Sequence, residues 1–235
     1  MAARGSAAPG GRANGRFHSR LYLQNTAVME ELYRRNLSED LVRDNGLSCG
    51  GREYWREPAS TVGAASDGLS EEERRTAADA AERMTAVIAG TPGIAVERNV
   101  RDFRRGGWDV TPDNVESEFR EVERRTFSDG VHWGRVIAFL AFSMSFAAYV
   151  NSRGIDGGAY SVFNWTLRVL NDSLADFIQR ENGWRGFIVY ADTLLRAQGS
   201  TPPQHQTRGV WDAVAGIGVI GVGTLLALGM RQAFS

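Results

Sequence analysis

The chain has no lysine; all 27 of its basic residues are arginine. Base composition explains this more simply than escape from lysine modification, since it also favours the abundant alanine and glycine. Cysteine occurs once, at Cys49, which excludes an internal disulfide and fits a reducing compartment. Cys49 lies in loop-like sequence with no nearby histidine or helix start to lower its pKa, so it reads as an inert thiol. Histidine occurs three times, at His18, His132 and His205, and none stands at i, i+4 with a second ligand, so no zinc-type site is visible. A phosphate-cradling glycine loop and a nucleophile elbow are both missing. Gly106-Gly107 and Gly157-Gly158 read as loops. Neither sign of charge dominates. The net charge is −1, and no arginine stripe is interleaved with aromatics, so nucleic acid is not a partner. Carboxylates are plentiful but fall on the polar faces of helices. The residues therefore indicate no catalytic group, cofactor or metal, and no enzyme. The N-terminus also lacks the apolar segment of a secretory signal, and 1–20 reads as a disordered tail.

What is present is helical periodicity. From Leu21 to Val42, the residues Val28, Met29, Leu32, Tyr33, Leu37 and Leu41 recur at spacings of three and four, the pattern of an amphipathic helix. Residues 45–69 collect Gly, Ser, Pro and Asp and read as a flexible loop. Ser70 followed by Glu71-Glu72-Glu73 predicts a capped helix start, with acids at the positive end of the helix, running to about Ala89. Gly90, Pro92 and Gly93 break it. Ile94 to Arg105 predicts a short basic helix. Thr111-Pro112-Asp113 predicts another start, with Val115, Phe119 and Val122 as the buried stripe. Val131 to Val150 is apolar over nearly its whole length, too long for a strand, and reads as the central helix of a helical globule. One further helix carries Phe163, Leu167, Leu170, Leu174 and Phe177, and a short last one runs from Trp184 to Arg196. The fold class is all-α, with the helical domain over 21–198.

After a polar linker over 199–209, Ala213 to Met230 carries no charge. At ~1.5 Å per residue this nearly spans a ~30 Å hydrocarbon layer. Trp211 suits the interface, and Gly216, Gly218, Gly221 and Gly223 give a smooth face for packing in lipid. Residues 210–230 are therefore expected to be a transmembrane tail anchor, so the membrane is one partner.

The stretch Phe127-Ser128-Asp129-Gly130-Val131-His132-Trp133-Gly134-Arg135-Val136-Ile137-Ala138-Phe139 resembles the first homology motif of the Bcl-2 apoptosis regulators, with His132 where asparagine is usual. Asn171-Asp172-Ser173-Leu174-Ala175-Asp176-Phe177-Ile178-Gln179-Arg180-Glu181-Asn182-Gly183-Trp184 resembles the second, with Phe177 for a usual tryptophan and Asn182 for a usual glycine. With the anchor, the resemblance covers about residues 70–231. It implies a bundle of about eight helices around a central hydrophobic hairpin. It also implies a groove that receives the amphipathic death-motif helix of pro-apoptotic relatives. The floor would start at Trp133, Gly134 and Arg135 and continue through Ile137, Ala138 and Phe142. Val100, Phe103, Val122 and Thr126 would line the walls, and Phe177, Gly183 and Trp184 would belong to the second motif. Gly134 would let a foreign backbone approach. Arg135 would pair with the partner's acid. Read from the residues alone, Arg135 is a helix-start arginine bonded to Asp129 or Asp176.

A third homology motif, the one donated to grooves, aligns best with Ala86-Val87-Ile88-Ala89-Gly90-Thr91, which lacks the leading leucine and the acid. The resemblance therefore implies a pro-survival protein that sequesters death-motif helices on the cytosolic face of the mitochondrial outer membrane, with the endoplasmic reticulum also open to such an anchor. The alternatives are a Bax- or Bak-like pore-forming effector and, from another class, a multi-pass membrane protein with Val131–Val150 inserted.

Overall fold

The computed structural model describes residues 11–39, 41, 68–91 and 93–199. Among them are eight α-helices and no strand: α1 (Gly11–Asn36), α2 (Glu71–Gly90), α3 (Val96–Arg105), α4 (Val115–Phe127), α5 (Trp133–Ser152), α6 (Gly158–Arg168), α7 (Ala175–Arg180) and α8 (Gly183–Gly199). A π-helical turn, Val169–Ser173, joins α6 to α7. The expected anchor at 210–230 lies outside the described residues, as do most of the 45–69 loop and the 199–209 linker beyond Gly199.

The apolar helix is the centre of the bundle. Helices α2, α3, α4 and α6 all pack on α5, while α1 lies on α2, α6 and the π turn, and α8 lies on α2. Among the described residues α5 is the one helix long and apolar enough to cross a membrane, with a mean hydropathy of 1.4, yet 83% of that span is buried inside the bundle. The central hairpin of α5 and α6 is drawn tight by Gly158, where a Cβ would stand 2.3 Å from Cγ1 of Val150. Gly158 therefore belongs to the first turn of α6 rather than to a loop.

The start of α2 follows its sequence signature. The Ser70 hydroxyl accepts from the Glu73 amide at 3.3 Å, and the Glu73 carboxylate accepts from the Ser70 amide at 2.9 Å, a reciprocal cap. Arg20 of α1 donates to the same carboxylate at 2.7 Å and, with Ser70 and Gln24, pulls the Glu73 pKa down to about 2. A depressed carboxyl stabilises the fold above its ordinary 4.5, and that contribution is lost as pH falls toward about 2.

Four boundaries differ from expectation. Helix α1 begins at Gly11, so the tail expected over 1–20 is helical from Gly11 onward. Arg12, Ala13 and Arg16 are good helix formers, which favours helix in this segment. The same helix stops at Asn36, whose side-chain amide folds back on the Leu32 carbonyl at 2.8 Å. Regular α4 begins at Val115, and Pro112 lies in a preceding turn that Asn114 ties together by accepting from the Thr111 amide at 2.8 Å. The single helix expected over Phe163–Phe177 is broken by the π turn, closed by the Leu174 amide on the Val169 carbonyl at 2.9 Å. Its stripe nevertheless faces inward throughout, with Leu170 and Leu174 fully buried.

A buried polar relay holds α1 to that turn. The Trp184 indole donates to Oδ1 of Asn25 at 2.9 Å, and Nδ2 of Asn25 donates to Oδ1 of Asn171 at 2.9 Å. Asn25 is wholly buried. Removing it strands the indole N–H and the Asn171 oxygen, at about 1–3 kcal/mol each. Asn25→Ala is expected to destabilise the fold by roughly 2–3 kcal/mol in urea unfolding; a loss within ~0.5 kcal/mol would show that the relay is replaced by water.

Candidate functional site: the face of α5 between α3 and α4

The two sequence motifs meet in space. Trp133, at the first turn of α5, is buried against Phe177, Trp184 and Phe187, with ring centroids 5.0, 5.9 and 5.3 Å away. One aromatic cluster thus ties the first motif to the second and fixes the angle at which α5 leaves it. Asn182 and Gly183, both left-handed at φ 64° and 62°, turn the chain from α7 into α8 so that Trp184 points inward.

Helices α3 and α4 both rest on α5, which is the floor between them. Phe103 of α3 is buried, its ring against Trp108, Tyr149 and Phe142 at 5.1, 5.6 and 6.3 Å. Phe119 of α4 meets Phe142 at 6.0 Å and Phe139 at 5.6 Å. The walls therefore close on the floor through a row of aromatic rings. Phe142 belongs to this row; Val122 and Ile137 are buried as well, whereas Val100, Thr126 and Ala138 are half-buried. The Thr126 hydroxyl is satisfied by its own helix, donating to the Val122 carbonyl at 2.7 Å. The expected groove residues thus divide between two sides of α5, with Trp133 packed on Phe177 and Trp184 and Phe142 packed on Phe103 and Phe119, and these large side chains pack against each other rather than standing open.

Arg135 behaves as the residues alone suggested. Its guanidinium donates to the Gly130 carbonyl at 2.6 Å and to Asp129 at 3.3 Å. The arginine side chain is only 17% exposed, whereas that of Asp129 is 80% exposed. A mostly buried fork therefore holds an acid that water can take away. Gly134 differs from the open approach point expected of it. It is buried, and a Cβ built there would meet the His132 ring at 3.2 Å and the Tyr190 hydroxyl at 3.3 Å.

His132 occupies the N-cap of α5 with extended backbone, φ −151° and ψ 162°, yet makes no side-chain cap bond. Asparagine is among the best residues at that place because its short side chain reaches the orphan amides. His132→Asn is expected to raise stability by about 1 kcal/mol, read from the thermal midpoint; no gain would mean that the first turn of α5 is already satisfied. Burial, then the nearby Arg135 charge, lowers the His132 pKa below its ordinary 6.5, so the ring is neutral at neutral pH.

Sequence reasoning missed Tyr190, Trp108 and Phe119 as parts of this site. Trp108 donates to Glu118 at 2.9 Å and accepts from the Tyr149 hydroxyl, so a loop residue bridges α4 and α5. Only Phe119 had a periodic signal.

The family model for apoptosis regulator proteins of the Bcl-2 family matches residues 71–184, which contain both motifs and every expected wall and floor residue. The solved structure of Geodia cydonium BHP2 in complex with Lubomirskia baicalensis Bak-2 is 86% identical, covers 77% of this chain and 97% of that chain, and superposes with a TM-score of 0.64. The chain belongs to the Bcl-2 family of apoptosis regulators. Among family members, Apoptosis regulator R1 of Xenopus laevis is 28% identical over 123 residues, 51% of this chain and 52% of that protein. Human Bcl-2-like protein 1 is 25% identical over 118 residues, 50% of this chain and 51% of that protein. The chain thus spans about half the length of the curated Bcl-2 relatives it matches. The all-helical fold around α5 is that of the family.

Proposed function

We propose that this Bcl-2 family member is pro-survival and sequesters the death-motif helix of pro-apoptotic relatives on the α5 face between α3 and α4. The observation that carries the proposal is the 86% identity to BHP2, a protein solved in complex with a Bak-2. The partner helix would lay an i, i+3, i+4, i+7 apolar stripe over Val122, Thr126, Ile137, Ala138 and Phe142 and offer its acid to Arg135. For this, the α3 wall must lift from the aromatic row, and the arginine must exchange Asp129 for the incoming acid.

A receiving role also fits helix α2. Its counterpart of the third motif has Val87 and Ile88 buried in the bundle and no acid, with Thr91 in that position. Donating this segment would mean tearing out core residues. Segment 210–230 would hold the protein on the mitochondrial outer membrane. Titrating the full chain with Lubomirskia baicalensis Bak-2, and adding the chain alone to dye-loaded vesicles, tests the reading. Saturable binding without leakage is expected. Absence of binding would refute capture, and leakage by the chain alone would favour the pore-forming alternative.

A further inference from the structure

Gly134 is the glycine of α5, and the chain covers its α-carbon with its own groups. Cε1 and Nδ1 of His132 lie 3.2 Å, and the Tyr190 hydroxyl 3.3 Å, from the point where a Cβ would stand. The imidazole comes from the N-cap of α5 and the phenol from α8, so two elements converge on Gly134. The His132 ring makes no side-chain cap bond at the start of α5, so no cap bond has to break for it to turn outward. The titratable and charged groups around it are Arg135 on its own helix, Asp129 in the preceding turn and bonded to Arg135, and Tyr190 from α8.

We infer that His132 and Tyr190 form a gate over Gly134, that a partner helix must displace the imidazole to dock, and that protonating His132 favours the open position. The inference rests on the groove reading above. Its physical basis is the opposed demands of the two positions. Over Gly134 the ring is partly withdrawn from water and beside the Arg135 guanidinium, and both factors disfavour a second positive charge. Turned outward, the ring is solvated, and beside a docked carboxylate its charge is favoured. Opening is therefore coupled to proton uptake, and capture strengthens as pH falls, for as long as the partner's acid stays ionised. The gate also selects the partner. Only a helix with a small residue facing Gly134 and an acid within reach of both Arg135 and His132 holds it open.

The test is the affinity of the full chain for Lubomirskia baicalensis Bak-2 at about pH 8 and about pH 6, set beside His132→Ala and His132→Asn. The wild type is expected to bind about three- to tenfold more tightly at the lower pH, because opening takes up a proton. His132→Ala should bind more tightly than wild type at the higher pH and show no such slope. An equal slope in His132→Ala, or no gain in affinity from it, would overturn the gate. A readout without partner separates this from failure of the groove reading. In NMR titration the Gly134 amide signal should move with the His132 ring protons and stay still in His132→Asn. A Gly134 amide indifferent to His132 would overturn the gate even if Bak-2 binds. A coupled Gly134 amide with no Bak-2 binding at either pH would uphold the gate's ring movement and refute capture instead.

Discussion

Arg135→Ala is expected to weaken capture of Bak-2 by roughly 2–5 kcal/mol, about thirtyfold or more, while leaving thermal stability nearly unchanged. The two effects separate because the guanidinium has two kinds of contact. In this structure it holds the Gly130 carbonyl and Asp129, an acid that is 80% exposed. A pair so open to water contributes at most about 1 kcal/mol to folding. Under a docked helix the same fork, already only 17% exposed, would face an acid with water excluded, where a charge-assisted bidentate contact counts far more. Arg135→Lys retains the charge but not the fork, so it should fall between wild type and alanine. Calorimetric titration beside a thermal melt checks both halves. Equal losses of affinity and stability would mean that Arg135 acts by holding the α4–α5 turn.

Gly186→Ala is expected to cost about 3 kcal/mol or more of stability, which lowers the thermal midpoint by roughly 6–12 °C for a domain of this size. Gly186 sits one turn into α8, where the left-handed Asn182 and Gly183 fold the chain back on itself. A Cβ there would stand 1.7 Å from the Glu181 carbonyl oxygen, a backbone atom that cannot swing aside. Relief requires the first turn of α8 to move, and with it Trp184, which packs on Trp133 and donates to Asn25. Gly107→Ala is the appropriate contrast. Its φ of 63° strains any side chain, but nothing lies within 4 Å of a Cβ there, so about 1–2 kcal/mol is expected. Equal melting temperatures for the two variants would contradict the close approach at Gly186.

Much of this architecture is legible in the sequence because helices announce the face they bury. The Ser70 cap, the largely apolar α5 and the inward stripe from Phe163 to Phe177 follow from spacing and capping chemistry. Periodicity does not reveal interruptions that keep the stripe in phase. The π turn at Val169–Ser173 adds a residue without moving Leu170 or Leu174 off the core side, so the pattern reads straight through it. Contacts between distant helices are equally silent. Nothing in the sequence around Asn25 indicates that it accepts from Trp184, and nothing near Tyr190 indicates that its hydroxyl covers Gly134. The motif Trp133-Gly134-Arg135 marks the candidate site, yet the packing around it involves groups the motif does not contain, namely the aromatic row between α3, α4 and α5 and the His132–Tyr190 pair beside the glycine.

A captured partner helix would lie on α5 between α3 and α4, against Gly134 and Arg135. Amide mapping by NMR during titration with Bak-2 reads its position residue by residue. The largest shifts are expected at Val122, Thr126, Gly134, Arg135 and Ala138, with the Arg20–Glu73 junction of α1 and α2 unchanged. Shifts confined to α1 and α2, with Gly134 and Arg135 unmoved, would contradict it.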